Sequence, residues 1–353
     1  PAADASPAAD ASPATDTSPA ADTSPAADTS PAADPIETLR KAAEQGNAEA
    51  QYDFGVLSAN GKGGVPKDSA EALKWFHKAA EQGHAQAQFK LAAPYAYGVG
   101  VPKDNAKAIT WCRKAAEQGH AEAQNYLAYL YISGFSGMGK DAAEAMKWYR
   151  KAAEQGYAEA QLNLAEMYDN GEEGVPEDDA EAVKWYRKAA EQGHAPATEF
   201  LGQMYRYGRG VPEDAVAAYA WYSVGAAHRN PYERKNRDSF KRSLTPSQVE
   251  KGEAMAHEIM EQIQMLFRKA AEQGHAEAQI KLGNCYYRGI GVANDGVTAY
   301  AWRSVAASSG HDFARALCDA TKGELTPSQV EKGEAMAREI SERIKKRKAA
   351  KAE

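Results

Sequence analysis

The sequence predicts an all-α protein, a solenoid of stacked helix pairs. The main observation is the phrase Ala-Ala-Glu-Gln-Gly, which occurs six times and ends at Gly46, Gly83, Gly119, Gly156, Gly193 and Gly274. The steps between these glycines are 37, 36, 37, 37 and 81 residues. A period in this range is typical of stacked units that bury their apolar faces only against their neighbours. The second observation is that helix-forming residues dominate from Ile36 onward.

Residues 1–35 form a different kind of segment, a six-residue repeat that reads Pro-Ala-Ala-Asp-(Ala/Thr)-Ser in most copies. The segment has six aspartates and no lysine or arginine, so it carries −6 of the formal net charge of −7. Because it has no large apolar side chain to bury, we expect a disordered, extended tail. The remaining chain is nearly neutral and has no apolar run of about 18 residues, which argues against a nucleic-acid partner and against a membrane span.

The first helix of each unit is predicted to start just after the glycine of the phrase. Two adjoining stripes of small or apolar residues recur in nearly every unit. In the fourth unit, one stripe is Ala158, Ala165 and Tyr168, and the other is Ala160, Leu164 and Met167. This spacing is typical of a helix that packs on two sides. We expect each first helix to end at a C-terminal glycine, and these are Gly61, Gly98, Gly134, Gly171, Gly208 and Gly289.

The second helix follows a Gly-Val-Pro-(Lys/Glu)-Asp loop in most units. Aspartate followed three residues later by glutamate, as at Asp178 and Glu181, predicts a capping box at its start. All six tryptophans occupy one column of this helix, and six copies of one aromatic are better explained by packing between repeats than by a ligand site. These residues are Trp75, Trp111, Trp148, Trp185, Trp221 and Trp302.

Two features depart from the regular pattern. Pro94 lies deep in the predicted first helix of the second unit, where we expect a kink or an early break. The step of 81 residues is explained by a duplication, because residues 187–264 and 268–345 align without a gap. Each copy contains Leu-Thr-Pro-Ser-Gln-Val-Glu-Lys, in which the Thr-Pro-Ser-Gln start predicts a capped helix. In the inner copy we expect one uninterrupted helix from Pro246 to Gln273, with no loop near residues 264–266.

The resulting organisation has six parts: a tail at 1–35, repeats at 36–230, internal cap-like helices at 231–264, a further repeat at 265–310, C-terminal capping helices at 311–345 and a basic tail at 346–353. The three cysteines cannot form a disulfide framework in a chain of this size. Cys112 and Cys285 lie in columns that otherwise hold apolar residues, so we expect both to be buried. The sequence leaves the redox state of Cys112, Cys285 and Cys318 open.

Over residues 36–345 the chain resembles the Sel-one-like repeat (SLR) family, which is related to the tetratricopeptide repeats. The motifs that carry the resemblance are Ala-Glu-Ala-Gln, Leu-(Ala/Gly)-x-(Met/Leu)-Tyr, Gly-Val-Pro and Ala-x-Lys-Trp-Tyr-Arg-Lys-Ala-Ala-Glu-Gln-Gly. The resemblance implies a right-handed α/α superhelix that serves as an adaptor or binding scaffold. Some cysteine-rich relatives are reported to bind or hydrolyse penicillins, but this chain lacks their regular cysteine pairs.

No catalytic residue, metal ligand or cofactor site is predicted. His84, His120, His194 and His275 follow the turn glycine, and His311 follows its equivalent, but these positions lie a repeat apart, about 10 Å or more, too far to share a metal. Residues 134–138 resemble a nucleophile elbow, but the last glycine and the preceding strand are missing. The serine motifs of penicillin-recognising enzymes are absent as well.

Binding is predicted on the columns that vary between units, since these share one side of the first helix and should line a concave surface. Aromatic and arginine side chains there have the character of binding hot spots. The alternative is a solvated face that varies because nothing constrains it. The candidate residues are Phe89, Tyr97, Tyr129, Ile132, Leu162, Arg206, Tyr207 and Tyr287.

We therefore expect a non-catalytic adaptor for a protein or peptide partner, without nucleic acid and as a monomer. One alternative is a hydrolase of the β-lactam or cell-wall type, suggested only by the cysteine-rich relatives. Another is a structural spacer. A start without methionine in a stretch of Pro, Ala, Ser, Thr and Asp favours a periplasmic or secreted protein whose leader has been removed, with the cytoplasm as the alternative.

Overall fold

A computed structural model describes residues 34–135, 139–171, 174–227, 231–308 and 312–350. These residues form seventeen α-helices and no β-strand. The tail predicted at 1–35 lies outside this description except for Asp34 and Pro35, and so do His311 and residues 136–138 of the elbow-like segment. The all-α repeat solenoid expected from the sequence is confirmed.

The helices follow one another in a regular order of first and second helices. The half-unit α1 (Pro35–Glu44) precedes the first complete pair, α2 (Ala48–Asn60) and α3 (Ser69–Glu81). The next pairs are α4 (Ala85–Tyr97) with α5 (Asn105–Glu117), α6 (Ala121–Ser133) with α7 (Ala142–Glu154), α8 (Ala158–Asn170) with α9 (Asp179–Glu191), and α10 (Ala195–Tyr207) with α11 (Ala215–Ala226). The inner cap is α12 (Pro231–Lys241) and α13 (Pro246–Ala271), and the chain ends with α14 (Ala276–Arg288), α15 (Gly296–Ser308), α16 (Asp312–Gly323) and α17 (Pro327–Ala349).

The ends of the first helices agree with the sequence prediction. The glycine after each of these helices has a positive φ, between 61° and 73°, a conformation that costs glycine little because it has no Cβ. At their starts, the ring Nδ1 atoms of His84 and His120 accept a hydrogen bond from the backbone N–H three residues on, each at 3.2 Å. The histidine column therefore includes side chains that cap helices.

The starts of the second helices agree only in part. The Asp178 carboxylate accepts the N–H of Glu181 at 3.0 Å, as predicted. The reciprocal bond of a capping box is not needed, because the Asp178 N–H already donates to the Tyr168 carbonyl at 2.8 Å. Glu181 pairs instead with Lys184 at 2.5 Å. Full capping boxes form at Thr245 and Thr326, in the two copies of the cap.

The glutamine of the repeated phrase joins consecutive units. Gln155 donates to the Gln124 side-chain oxygen at 2.7 Å, and buried Gln124 donates to the Ala116 carbonyl at 3.0 Å. The same pair of bonds occurs around Gln51, Gln88 and Gln161. Because each bond satisfies a buried polar group, the glutamine of the phrase links the helices of consecutive units.

The tryptophan column lies in the core, as predicted, except at Trp111. Five of the six tryptophans are at most 8% exposed, whereas Trp111 is half-buried. The lysine three residues on lies over the ring in four units, with Nζ 3.8 Å from the ring centroid at Trp185. The column therefore combines packing with a cation–π contact.

Pro94 does not break its helix, contrary to one of the two outcomes expected. The helix α4 runs to Tyr97 and has 13 residues, like the other first helices. Pro94 lies four residues from the C-cap Gly98, whose N–H donates to the Pro94 carbonyl at 2.8 Å. A proline this close to the end removes one hydrogen bond of the last turn and leaves the earlier turns intact.

The long helix predicted across the inner cap is confirmed. Helix α13 runs through residues 264–266 and ends at Ala271. Its counterpart α17 continues to Ala349, so residues 346–349, predicted as part of the basic tail, are helical. Helix α13 thus begins as a capping helix and ends as the second helix that leads into the last repeat.

Candidate functional site

The first helices form one continuous surface along the array, which we call the first-helix surface. It consists of the outward sides of α2, α4, α6, α8 and α10, whereas α14, which carries Tyr287, follows the inner cap in the chain. Side chains bridge neighbouring first helices: His84 Nε2 lies 3.0 Å from Glu49, and Asn163 donates to Asn125 at 2.9 Å. The rings of Phe89 and Tyr126 lie 6.1 Å apart across α4 and α6. The variable columns therefore belong to one surface that spans several repeats.

The eight candidate residues differ in exposure. Tyr97, Tyr207 and Tyr129 are 73%, 61% and 53% exposed, and Arg206 is exposed as well. Phe89, Ile132 and Tyr287 are half-buried. Leu162 is only 7% exposed and belongs to the main hydrophobic core. We therefore leave Leu162 out of the surface that a partner can reach.

The candidates fall into three groups along the array. In the first, the ring of Tyr126 stacks on Tyr129 with a centroid distance of 6.2 Å, and Phe89 lies beside Tyr126. Burial, and then the neighbouring Tyr97, raise the pKa of Tyr126. This aromatic group on α4 and α6 was only partly predicted, because Tyr126 lies in a column next to the variable ones.

The second group contains Arg206 and Tyr207, and the third contains Tyr287. The Tyr287 hydroxyl donates to Glu324 at 2.7 Å, and the Arg303 guanidinium lies 4.5 Å from its ring centroid. Tyr287 is thus bound to the C-terminal cap and is less available than the exposed tyrosines.

The charge of the first-helix surface is uneven. Helices α2, α4, α6 and α8 carry one lysine, Lys90, against five acids that have no arginine or lysine partner in the described structure: Glu49, Asp53, Glu122, Glu159 and Glu166. A sixth acid, Asp169, is largely buried and pairs with Arg209 at 2.7 Å. Burial raises the pKa of Glu166, and Glu159 and Asp169 add to this effect. Burial also raises the pKa of Asp53, followed by the effect of Glu49. This part of the surface therefore has a local excess of negative charge.

A polar cavity of about 270 Å³ lies between α10, α11 and α12, beside Arg206 and Tyr207. Glu199 accepts hydrogen bonds from Asn236 Nδ2 at 2.9 Å and from Gln203 Nε2 at 3.3 Å. Burial raises the pKa of Glu199, and these two hydrogen bonds act in the opposite direction. Its lining residues are Glu199, Gln203, Arg206, Tyr207, Tyr222, Tyr232, Asn236 and Ser239.

Sequence reasoning identified Arg206 and Tyr207 but missed the rest of this cavity. The signal for Glu199 was present, since its column holds Tyr52, Phe89, Asn125, Leu162 and Ile280 in the other units, and only this unit has an acid. No such signal existed for Asn236, because α12 belongs to the inner cap and has only one counterpart in the chain.

A second cavity, of about 630 Å³, lies elsewhere, against the second helices. It is formed by α9, α11 and α13, with an apolar lining that includes Trp221, Ile259 and Ile263. Met265 and Leu266 at its edge are 59% and 54% exposed. We call it the α13 groove; it was not predicted from the sequence.

The described residues offer little to support catalysis or metal binding. They contain no group of three or more His, Cys, Asp or Glu side chains that could hold a metal ion. Cys112 and Cys285 are buried, as predicted, and burial raises the pKa of both thiols to about 12. A thiol with such a pKa is a poor nucleophile at neutral pH. In the described chain, no helix is long and apolar enough to cross a bilayer.

The fold and its surfaces define a class of protein, an α-helical repeat solenoid with an extended surface suited to recognition. The family model of the Sel1 repeat matches residues 48–84, 85–120, 121–157, 158–194, 195–230, 264–275 and 276–311. The chain belongs to the Sel1 repeat family, which confirms the resemblance seen in the sequence motifs.

Two solved structures are similar to this chain. A protective antigen of uropathogenic Escherichia coli that displays an SLR fold is 29% identical, with a TM-score of 0.54 over 88% of this chain and 72% of that one. A Sel1 repeat protein from Oxalobacter formigenes is 31% identical, with a TM-score of 0.49 over 78% of this chain and 97% of that one. No curated protein sequence gives a significant match.

Proposed function

We propose that the protein is a non-catalytic scaffold that binds a protein or peptide partner along the first-helix surface. The observation that carries the proposal is the continuity of this surface together with its exposed tyrosines Tyr97, Tyr129 and Tyr207. Tyrosine offers a large contact area at a small cost in side-chain entropy, and it is enriched among binding hot spots. In a superhelix this surface lines the concave side, where an elongated partner makes the most contact.

The charge of the surface narrows the class of partner. Five acids other than the Arg209-paired Asp169, against one lysine on α2, α4, α6 and α8, favour a partner segment with a net positive charge. Lysine and arginine side chains also bind over tyrosine rings through cation–π contacts. The proposed partner is therefore an extended or helical segment that combines basic and apolar residues.

Absence of catalysis is part of the proposal, and two observations support it. The buried thiols of Cys112 and Cys285 have a raised pKa. The comparisons link the chain to a repeat family rather than to an enzyme family. Nitrocefin hydrolysis provides a direct test, since turnover that disappears on a single substitution would establish the hydrolase alternative.

Binding is tested by capture and cross-linking from the native cell with Tyr97→Ala/Tyr129→Ala. We expect the double substitution to remove a specific partner while circular dichroism stays unchanged, because both side chains are exposed. The matched control is Met265→Ala/Leu266→Ala, which removes two similarly exposed side chains from α13. Equal capture by both double variants and the original protein would reject the first-helix surface in favour of a spacer role.

The cellular location and the oligomeric state are proposed as well. We propose action in the periplasm or outside the cell, with the cytoplasm as the alternative, and a monomeric solenoid. Cell fractionation tests the first, and light scattering coupled to size-exclusion chromatography tests the second.

A further inference from the structure

We infer that the first-helix surface contains a pocket for one positively charged side chain of the partner, formed by Tyr129 of α6, Tyr149 of α7 and Glu166 of α8. This inference rests on the proposed function, because it locates the anchoring cation of the basic segment that this surface is proposed to bind. It adds a site at a defined place, between the third and fourth helix pairs, and the chemistry of its guest, a lysine ammonium or an arginine guanidinium.

The three residues come from neighbouring helices, since α7 packs against both α6 and α8. Tyr129 and Glu166 occupy the same column of consecutive first helices, 37 residues apart, so they are neighbours along the first-helix surface. Tyr149 reaches them from α7. Burial raises the pKa of Tyr149, and Glu166, Glu159 and Tyr129 add to this effect. Because the interaction of two charges falls off with distance, the Tyr149 hydroxyl lies near Glu166.

The Tyr149 hydroxyl is the first observation that points to a ligand. The residue is only 5% exposed, yet its hydroxyl oxygen touches solvent and has no hydrogen-bond partner among the described residues. In the next unit the equivalent Tyr186 donates to Asp169 at 3.0 Å. In the unit of Tyr149 the position of Asp169 is held by Ile132, which offers no acceptor. Because buried polar groups are normally paired, the free hydroxyl is suited to an external partner.

The Glu166 carboxylate is the second observation. Glu166 is half-buried, and no described residue forms a hydrogen bond or ion pair with it. The acids near it are already engaged: His194 Nε2 lies 2.9 Å from Glu159, and Arg209 Nη2 lies 2.7 Å from Asp169. Glu166 is also the only acid in its column, which otherwise holds Val56, Ala93, Tyr129, Gln203 and Asn284.

This unpaired carboxylate lowers the stability of the free protein. Burial raises the pKa of Glu166, and Glu159 and Asp169 raise it further, which means that the folded protein disfavours the ionised form. Groups that lower stability in this way are typical of functional sites. A cation placed beside Glu166 removes the penalty, whereas an anion increases it. The local charge therefore selects a positively charged guest.

Tyr129 supplies an aromatic face and Ile132 an apolar wall. Tyr129 is 53% exposed, and its ring stacks on Tyr126 with a centroid distance of 6.2 Å. A cation within about 6 Å of a tyrosine ring is attracted to its face. The same unit already contains such a contact, because Lys151 Nζ lies 3.9 Å from the Trp148 ring centroid. Ile132 is half-buried and suits the methylene groups of a lysine or arginine side chain.

The test uses the full chain and two cationic probes, Nα-acetyl-lysine amide and Nα-acetyl-arginine amide. Their neutral controls are Nα-acetyl-norleucine amide, which lacks the amine, and Nα-acetyl-citrulline amide. Ligand-observed NMR titration at low salt gives the four dissociation constants. We expect at least one cationic probe to bind about 10-fold more tightly than its control, because hydrogen bonds between charged groups are stronger than those between neutral groups.

Glu166→Gln tests the carboxylate, since it removes the charge and keeps the size of the side chain. We expect it to weaken binding of the cationic probe about 10-fold. Its melting temperature should stay equal or rise, which excludes unfolding as the cause. The matched control is Glu117→Gln, which removes one negative charge from an exposed position on α5 and should leave binding unchanged.

Tyr149→Phe tests the hydroxyl, because it removes a single oxygen atom. We expect binding of the cationic probe to weaken about 3-fold, the effect of one hydrogen bond. The melting temperature should not fall, since the hydroxyl has no partner among the described residues. In contrast, Tyr186→Phe removes the hydrogen bond to Asp169 and should lower the melting temperature.

The inference is overturned if both cationic probes bind no more tightly than their controls. Unchanged binding in Glu166→Gln or Tyr149→Phe, or an equal loss in Glu117→Gln, would overturn it as well. Its failure is distinguishable from that of the proposed function. Loss of partner capture in Tyr97→Ala/Tyr129→Ala, with full capture by Glu166→Gln and Tyr149→Phe, would support the scaffold and reject the pocket. Selective binding of a cationic probe with equal partner capture by every variant would support the pocket and reject the proposed scaffold surface.

Discussion

Arg347 and Glu272 form an ion pair, with Nη1 and Oε2 2.6 Å apart, that joins the end of α17 to the end of α13. In the inner copy the aligned positions hold Leu266 and Glu191, which both line the α13 groove. The terminal copy thus has an ion pair at a position where the inner copy has a leucine beside a glutamate and forms no ion pair. This difference makes the duplication an internal control for stability experiments.

Leu266→Arg should reproduce the terminal ion pair by placing a guanidinium beside Glu191. Because the pair is partly exposed, we expect a gain of about 0–1 kcal/mol in the free energy of unfolding, smaller at high salt. Urea denaturation at low and high salt measures it. In Leu266→Arg/Glu191→Gln the salt-dependent gain should disappear, and a gain that persists there would rule out the ion pair as its source.

Gln124→Leu should destabilise the array by about 1–3 kcal/mol, because it removes two hydrogen bonds, to the Ala116 carbonyl and from the Gln155 amide. The Ala116 carbonyl then keeps the Gly119 N–H, and the Gln155 amide keeps the Lys151 carbonyl. Chemical denaturation gives the difference. The control is Gln86→Leu on the exposed side of α4, for which we expect a change within about 0.5 kcal/mol. Equal effects of the two substitutions would mean that the glutamine joint does not stabilise the stacking.

Glu166→Gln should stabilise the protein at neutral pH. Burial, then Glu159 and Asp169, raise the folded-state pKa of Glu166 above its unfolded value, so the folded protein holds this proton more tightly. Stability of the original protein therefore falls as pH rises from the unfolded-state pKa through the folded-state pKa. Because glutamine does not ionise, Glu166→Gln lacks this pH-dependent loss of stability.

The difference in stability between Glu166→Gln and the original protein should consequently grow as pH rises from the unfolded-state pKa to the folded-state pKa of Glu166. Above the folded-state pKa it should level off. Thermal unfolding followed from about pH 3 to pH 8 checks the profile. A difference that is independent of pH over this range would contradict the assignment of the effect to ionisation of Glu166.

Pro94→Leu should stabilise α4, since leucine occupies this column at Leu57 and Leu130 and restores a backbone N–H that can donate to the Lys90 carbonyl. We expect a gain of about 1 kcal/mol, the value of one hydrogen bond in the last turn. Pro102→Ala, in the exposed loop that follows, is the control and should lower stability slightly by loosening the unfolded chain. Loss of stability in Pro94→Leu would show that the proline is required for packing.

Much of the fold could be predicted because the repeat supplies its own alignment. Positions that hold the same kind of residue in six units, such as the tryptophan column, were assigned to the core, and Trp185 lies there. The continuous helix through residues 264–266 followed from the absence of helix breakers. The capping boxes at Thr245 and Thr326 followed from four-residue signals. These are local properties, in which a residue and its near neighbours in sequence determine the outcome.

The candidate site was predicted less completely. Variation between units identified Tyr97, Tyr129 and Tyr207, which are exposed, but it also selected Leu162, which packs in the core. Column variation cannot distinguish these cases, because burial depends on side chains that approach from other helices. The α13 groove was missed for the same reason, since its lining comes from three helices that are distant in sequence.

The sequence by itself determined the class of fold, the helix pairs, their caps and the duplication, because these depend on periodicity and on contacts within a few residues. Only the tertiary structure decided which variable residues face solvent, how the glutamines join consecutive units and where cavities open. Those outcomes depend on distances between helices far apart in the chain. The polar cavity at Glu199 shows the difference: the sequence marks Glu199 as the only acid in its column, but only the packing of α12 beside α10 brings Asn236 to it.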